Sequence, residues 1–122
     1  MVRVSLIVVA ALLLSLSAAL AADTLVNVYV GGRQVNFSPQ ARVRNGVTYA
    51  PLRASAEAVG AHVEWNASAR TATICTEDRC VPIRQNQGIM VGSSMLIPVR
   101  LMSEALGREV TWDANASAVR IK

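Results

Sequence analysis

One stretch of this sequence occurs twice, and that repetition limits the possible folds more than any other feature. Residues 51–74 read PLRASAEAVGAHVEWNASARTATI, and residues 98–121, which lie 47 positions later, read PVRLMSEALGREVTWDANASAVRI. Ten of the 24 aligned positions are identical without a gap, and Trp65 and Trp112 are among them. Shared composition does not produce identity at this level, so we interpret the two segments as an internal duplication.

Each copy predicts one short helix followed by strands. Pro51 and Pro98 suit the first position of a helix, where the missing N–H does no harm, and Gly60 and Gly107 suit its C-terminal cap. After each helix, apolar and polar residues alternate as they do in a strand with one buried face. The spacing therefore predicts a helix, a strand, a turn and a second strand in each copy.

Glycine-containing pairs upstream of the two copies predict β-hairpins. Gly31-Gly32, Asn45-Gly46 and Gly92-Ser93 each separate two short apolar or β-branched runs, which is typical of hairpins with primed turns. Two short helices among many short strands indicate an α+β fold. We expect a duplicated unit of hairpins, one short helix and strands, arranged as a mainly antiparallel sheet with two helices packed on it. Because each helix is too short to bury its own apolar face, we expect the two units to share one core.

Residues 1–22 have the pattern of a secretory signal peptide. A basic start precedes an apolar run, and Ala19-Leu20-Ala21 supplies small residues for cleavage at Ala21 or Ala22. The alternative is an uncleaved anchor, which needs about 20 apolar residues to span a bilayer. Cleavage leaves residues 23–122 as a single exported domain of two repeats. We expect it to be extracellular, associated with the cell wall or periplasmic, without further contact with the membrane.

The charge of the chain argues against nucleic acid as a partner. The formal net charge is +4, Arg3 belongs to the predicted leader, and the other basic residues are scattered along the sequence. So small and dispersed an excess of positive charge does not form the basic patch that is typical of nucleic-acid-binding proteins. It permits weak attraction to anionic polymers of the cell envelope.

The two cysteines predict a disulfide. Cys75 and Cys80 are separated by four residues of turn composition, and a close pair of cysteines in an exported chain is typical of a disulfide. The alternatives are a redox pair, which usually has C-x-x-C spacing, or two metal ligands, which need further partners. We expect the bond to close a hairpin.

Two arginines recur in the first turn of the predicted helices. Arg53 lies four residues before Glu57, and Arg100 lies four residues before Glu104. This spacing predicts a repeated ion pair on the helix surface. The alternatives are that each arginine reaches carbonyls of a neighbouring turn, or that it binds an anion.

The repeated tryptophans are in phase with apolar residues of the predicted strands. Trp65 follows Val63 and Trp112 follows Val110 at the spacing of a single strand face. We therefore expect both indoles to pack on the helices in the core. The alternative is an aromatic platform for sugars or peptides.

The sequence favours no catalytic residues, no metal site and no cofactor. His62, the one histidine, falls on the strand face opposite Val63 and Trp65. Ser55, Ser93 and Ser94 lack the G-x-S-x-G setting of a nucleophilic serine, and the carboxylates show no convergent pair.

Several short motifs recur around the duplicated segments. They are Asn45-Gly46, Pro51-Leu52-Arg53 and Val63-Glu64-Trp65 and, in the second copy, Pro98-Val99-Arg100 and Val110-Thr111-Trp112-Asp113. Together they resemble the repeat of the copper amine oxidase N-terminal domain, or stalk domain, of bacterial exported proteins. The resemblance implies an accessory domain, a small sheet curled around a helix, that carries neither copper nor quinone. The cysteine pair is a departure from the family pattern.

These observations predict a non-catalytic exported domain that binds a cell-envelope polymer or another exported protein. The candidate binding residues are Arg53, Arg100, Trp65, Trp112 and Arg79. One alternative is a small secreted inhibitor whose clipped turn, residues 76–79, inserts into the cleft of a partner. A small hydrolase is the other alternative.

Overall fold

The computed structural model describes residues 22–122, so the predicted leader lies outside the described residues except for Ala22. This part of the chain contains twelve short strands, two α-helices and one turn of 3-10 helix, Gln85–Gln87. The strands are β1 Thr24–Leu25, β2 Asn27–Val30, β3 Arg33–Val35, β4 Arg42–Arg44, β5 Val47–Pro51, β6 His62–Asn66, β7 Thr71–Cys75, β8 Cys80–Arg84, β9 Ile89–Val91, β10 Ser94–Pro98, β11 Val110–Asp113 and β12 Ala118–Ile121. The helices are α1 Leu52–Ala58 and α2 Val99–Leu106. The prediction of an α+β fold is confirmed.

The strands form three small sheets. Their orders are β1-β4-β5-β10-β9, β11-β12-β2-β3 and β6-β7-β8. All neighbouring strands are antiparallel except β12 and β2, which are parallel and bring the last strand beside the first hairpin. The expectation of mainly antiparallel pairing is therefore correct, with this one exception.

The five-stranded sheet joins the two repeated segments. Strand β5, which leads into α1, pairs antiparallel with β10, which leads into α2. In this pairing Ala50 lies opposite Ile97, and the two residues are separated by 47 positions, the same offset as the repeat. Equivalent positions of the two repeats thus lie opposite each other at the centre of the β5–β10 pairing, as they would about a local twofold axis. A duplication in evolution stays an interpretation of the sequence.

The helices end as predicted but begin one residue later than predicted. Pro51 and Pro98 have extended backbones, with ψ of 125° and 138°, so each is the last residue of a strand and the N-cap of the helix that follows. Gly60 and Gly107 lie just beyond the helices with φ of 80° and 63°. A left-handed residue at this position suits glycine because it has no Cβ.

One cluster of buried side chains fills the interior. It contains Leu52 and Ala56 from α1 and Met102 and Ala105 from α2, each at most 2% exposed. The strands contribute the remaining members, including Ile74, Ile83, Ile97, Val119 and Ile121. The expectation that both segments contribute to one core agrees with this cluster.

Across residues 22–122, no helix has the length and apolarity needed to cross a membrane.

Ser55 is an exception within the core. It lies in α1, is fully buried, and its Oγ atom has no hydrogen-bond partner. The equivalent position in the second copy is Met102, which is also fully buried. A buried hydroxyl without a partner loses its bonds to water and gains none in return.

We expect Ser55→Ala to raise the free energy of unfolding by about 1 kcal/mol, because it removes the unpaired hydroxyl. Urea unfolding followed by circular dichroism measures the change. Ser103→Ala is the matched control, since the Ser103 hydroxyl donates a 2.6 Å hydrogen bond to the carbonyl of Arg108. The control should lower the free energy of unfolding by about 1 kcal/mol. A loss of stability in Ser55→Ala would contradict the expectation.

The first strand is held by a cluster of charges. The Asp23 carboxylate accepts hydrogen bonds from Arg44, at 2.8 and 2.7 Å, and from Arg42, at 3.3 Å. The hydrogen bond from Arg44 is the main cause that lowers the pKa of Asp23 to about 2, Arg42 adds to it, and desolvation opposes both. A carboxylate with a lowered pKa stabilises the fold while it is charged.

This cluster makes part of the stability dependent on pH. The stabilisation by Asp23 should be complete above its unfolded pKa of about 3.9 and should be lost as the pH falls towards the folded value. Comparing the wild type with Asp23→Asn in urea isolates this contribution. The variant should be the less stable near neutral pH, and the difference should shrink as the pH falls through 4 to about 2. A difference independent of pH would refute the role of the carboxylate.

Candidate binding groove around Trp65

The repeated tryptophans lie at the surface, so the expectation that they pack in the core is wrong. Trp65 is 46% exposed and Trp112 is 41% exposed, whereas Val63, on the same strand face as Trp65, is 5% exposed. Both indoles belong to the outermost strand of a sheet, β6 or β11. Alternation gives the direction in which a side chain points, and at these strand positions no element covers that face fully.

Trp65 lines a groove of about 490 Å³. The floor is formed by Val63 and by Ala72 of β7, which is 3% exposed. One wall is Trp65, and another includes Met90 of β9, which is 41% exposed. The remaining lining residues are Ser38, Pro51, Leu52, Arg53, Ala54, Glu57, Ser93, Ser94 and Met95. We call this feature the Trp65 groove.

The groove arises where elements of different sheets meet. The sheet β6-β7-β8 supplies the Trp65 side, and the β9–β10 hairpin supplies the Met90 side. The first turn of α1, including Leu52 and Arg53, lies between them. Because β6 and β9 are both edge strands, neither has a further strand that would fill the space.

Arg53 lies at the rim of the Trp65 groove and makes both structural contacts that its position suggests. Its Nη1 atom is 3.8 Å from Oε1 of Glu57, and the same nitrogen donates a 3.4 Å hydrogen bond to the carbonyl of Val63. Both long side chains are more than half exposed, so the ion pair contributes little to stability. Its geometric effect is to tie α1 to the edge of β6.

Arg100 does not repeat this arrangement. It is exposed, and the ion pairs within residues 22–122 do not join it to Glu104. The repeated i,i+4 spacing therefore predicts the ion pair correctly in the first copy alone. A binding role for either arginine stays a prediction.

The predicted disulfide joins Cys75 and Cys80 across the β7–β8 hairpin. The turn that it closes is held by a 2.8 Å hydrogen bond from the Thr76 amide to the Arg79 carbonyl. The Arg79 guanidinium lies against Gly107, where a side chain would collide with it. A cation at the C-terminal end of α2 is favourable, because the last carbonyls of a helix carry partial negative charge. This position gives Arg79 a structural contact, and its predicted role in an inhibitor stays untested.

Among the residues weighed for catalysis, Ser93, Ser94 and Glu57 line the Trp65 groove, and His62 and Ser55 do not. His62 is exposed, and its Nε2 atom lies 3.3 Å from Oε1 of Glu64, which is on the same outer face of β6. Ser55 is buried in the core. Within residues 22–122, no three histidine, cysteine, aspartate or glutamate side chains come together as metal ligands.

Met90 is the groove residue that the sequence did not indicate. It lies in a short apolar strand, and it lines the same groove as Trp65 only because the groove lies between two sheets. No local sequence pattern indicates that residues of separate sheets line one groove. An exposed methionine beside a glycine-containing hairpin turn was the available signal, and it is a weak one.

Comparison with protein families gives a match. Residues 29–91, just over half of the chain, match the family model of the copper amine oxidase N-terminal domain. The matched range includes the residues that line the Trp65 groove, except Ser93, Ser94 and Met95. Neither a curated protein nor a solved structure matches the chain.

The exposure of the two indoles predicts that a soluble quencher reaches them and reduces their fluorescence. The chain contains two tryptophans, so Trp65→Phe and Trp112→Phe each leave a single reporter. Acrylamide should quench both single-tryptophan variants readily, because each remaining indole is more than 40% exposed. Strong protection of either indole in the folded protein, relieved by urea, would contradict the surface position.

Proposed function

We propose that this chain, which belongs to the family of the copper amine oxidase N-terminal domain, is an exported, non-catalytic module that binds a component of the cell envelope through the Trp65 groove. The family supports the non-catalytic part of the proposal, since this N-terminal domain is a non-catalytic one.

The observation that carries the proposal is the exposure of Trp65 and Met90 in one concave site. Large apolar side chains exposed together in a concave site on a folded surface are typical of binding sites. The groove adds polar groups at its rim, among them Arg53 with Glu57 and the hydroxyl of Ser94. An apolar floor with polar groups at the edge suits a ligand that has both apolar and polar faces.

Two features support export. The leader-like pattern of residues 1–22 is the first, and the Cys75–Cys80 disulfide is the second. Disulfides persist in oxidising compartments and are rare in the cytosol. An envelope location is consistent with both.

We also propose that the two units arose by duplication and that only the first became a binding site. Both have a hairpin, a helix and two strands in the same order, and Ala50 meets its equivalent Ile97 at the joint. Trp112, the equivalent of Trp65, is exposed on another sheet.

The proposal is tested by binding to insoluble cell-wall material. Trp65→Ala should weaken the binding of the protein by at least about tenfold, because a tryptophan that contacts a ligand often contributes more than about 1.4 kcal/mol to binding. Trp112→Ala is the matched control, since it removes the equivalent, similarly exposed indole away from the groove. Met90→Gln provides a second, milder change in the groove and should also weaken binding.

Co-sedimentation over a range of wall concentrations gives the affinity, and circular dichroism confirms that each variant is folded. Absence of binding by the wild type would refute the envelope proposal. Equal losses in Trp65→Ala and Trp112→Ala would refute the assignment to the groove.

A further inference from the structure

A second groove adjoins the Trp65 groove at Met90. It has a volume of about 530 Å³ and lies at the end of the β6-β7-β8 sheet. It is lined by Ala69, Arg70, Arg84, Gln85, Asn86 and Met90. Met90 lines both grooves, so the two grooves adjoin there, and we call the pair the extended groove.

The backbones of the two arginines are fixed by local hydrogen bonds. The Arg70 carbonyl accepts a 2.9 Å hydrogen bond from the amide of Gln85. The Arg84 amide donates a 2.8 Å hydrogen bond to the side chain of Gln87. Thr71, the residue after Arg70, pairs directly with Arg84 across β7 and β8. The two guanidinium groups therefore start from neighbouring positions at one end of the sheet.

Their positive charge is not neutralised by the surrounding chain. No acidic residue lines the groove around Arg70 and Arg84. Within residues 22–122, the ion pairs occupy Asp23, Glu57, Glu64 and Asp113 with other partners. The one acidic residue of the Trp65 groove is Glu57, which pairs with Arg53. The extended groove thus has the exposed Trp65 at one end and, at the other, two exposed arginines, Arg70 and Arg84, that form no ion pair with the described residues.

The distance between these ends limits the size of the ligand. Trp65 pairs with Ala72, and Ala72 pairs with Ile83, the residue before Arg84. Two strand spacings amount to about 10 Å. A ligand that reaches from Trp65 to Arg84 is therefore longer than a single sugar ring or amino acid. Arg70 is nearer to Trp65, because the following residue, Thr71, pairs with Asn66 across β6 and β7.

We infer that the extended groove binds an anionic polysaccharide, with a sugar ring on the Trp65 indole and acidic substituents on Arg70 and Arg84. This inference rests on the proposed function and specifies its ligand. Indole has a flat apolar face that can cover the C–H face of a sugar. Guanidinium groups match carboxylate and phosphate oxygens with paired hydrogen bonds. The amides of Gln85 and Asn86 both donate and accept, as sugar hydroxyl groups require.

The experiment compares two polymers with one backbone. Polygalacturonate carries a carboxylate on each sugar, and its methyl ester carries none. Isothermal titration calorimetry with the full chain should show binding of polygalacturonate at least about tenfold tighter than that of the ester. Raising the salt concentration from about 0.05 to about 0.5 M should weaken the binding, because exposed charges are screened.

The arginines are tested by the double variant Arg70→Asn and Arg84→Gln. Asparagine tolerates the left-handed backbone of position 70, where φ is 48°, so the fold should persist. This variant should lose at least about tenfold in affinity for polygalacturonate. The control is Arg33→Gln with Arg108→Gln, which removes the same charge from exposed residues outside the extended groove and should bind as the wild type does.

The outcomes separate this inference from the proposed function. Equal affinity for the two polymers, or equal losses in the two double variants, would overturn the anionic ligand. Tighter binding of polyglutamate or of anionic lipid vesicles than of polygalacturonate would also overturn it, in favour of a peptide or a membrane. If Trp65→Ala releases the protein from cell-wall material and the arginine variant does not, the proposed function stands and the anionic ligand fails. If neither variant is released, the proposed function itself fails.

Discussion

The pairing of β5 with β10 is the contact on which the rest of the structure depends. Each of these strands continues through a proline into a helix, so the pairing places α1 and α2 on one core. Ala50 and Ile97 at its centre are almost completely buried. Neither helix exceeds eight residues, and helices of this length are not stable in water on their own. The sheet therefore supplies the burial that holds both helices.

The sequence predicted the parts of the fold that local chemistry determines. Asn45-Gly46 and Gly31-Gly32 adopt positive φ at the predicted hairpins, and Gly60 ends α1 as its conformational freedom suggests. The spacing of Cys75 and Cys80 was sufficient for the disulfide, because the geometry of a hairpin brings opposed residues together. Each of these features depends on a few consecutive residues, which is why each can be read without a structure.

The candidate site was predicted less well because it depends on the approach of separate sheets. Trp65 was singled out, but alternation along β6 did not show whether its face would be covered. Met90, on another sheet, lines the same groove as Trp65, and Arg84, at the end of β8, lines the adjoining groove with Met90. The parallel pairing of β12 with β2 was missed for the same reason, since it joins the two ends of the domain.

Differences between the copies distinguish what the fold requires from what a ligand would use. Arg70 and its equivalent Ser117 have nearly the same left-handed backbone, with φ of 48° and 46°, so the turn is repeated while the side chain is not. In the second copy, Asp113 accepts hydrogen bonds from the turn amides, chiefly that of Ala116, and from Arg120, which lowers the pKa of its carboxyl. In that turn, the charges of Asp113 and Arg120 are paired with each other. The turn of the first copy leaves the charge of Arg70 exposed to solvent, beside Arg84, Gln85 and Asn86, where it is available to an anionic ligand.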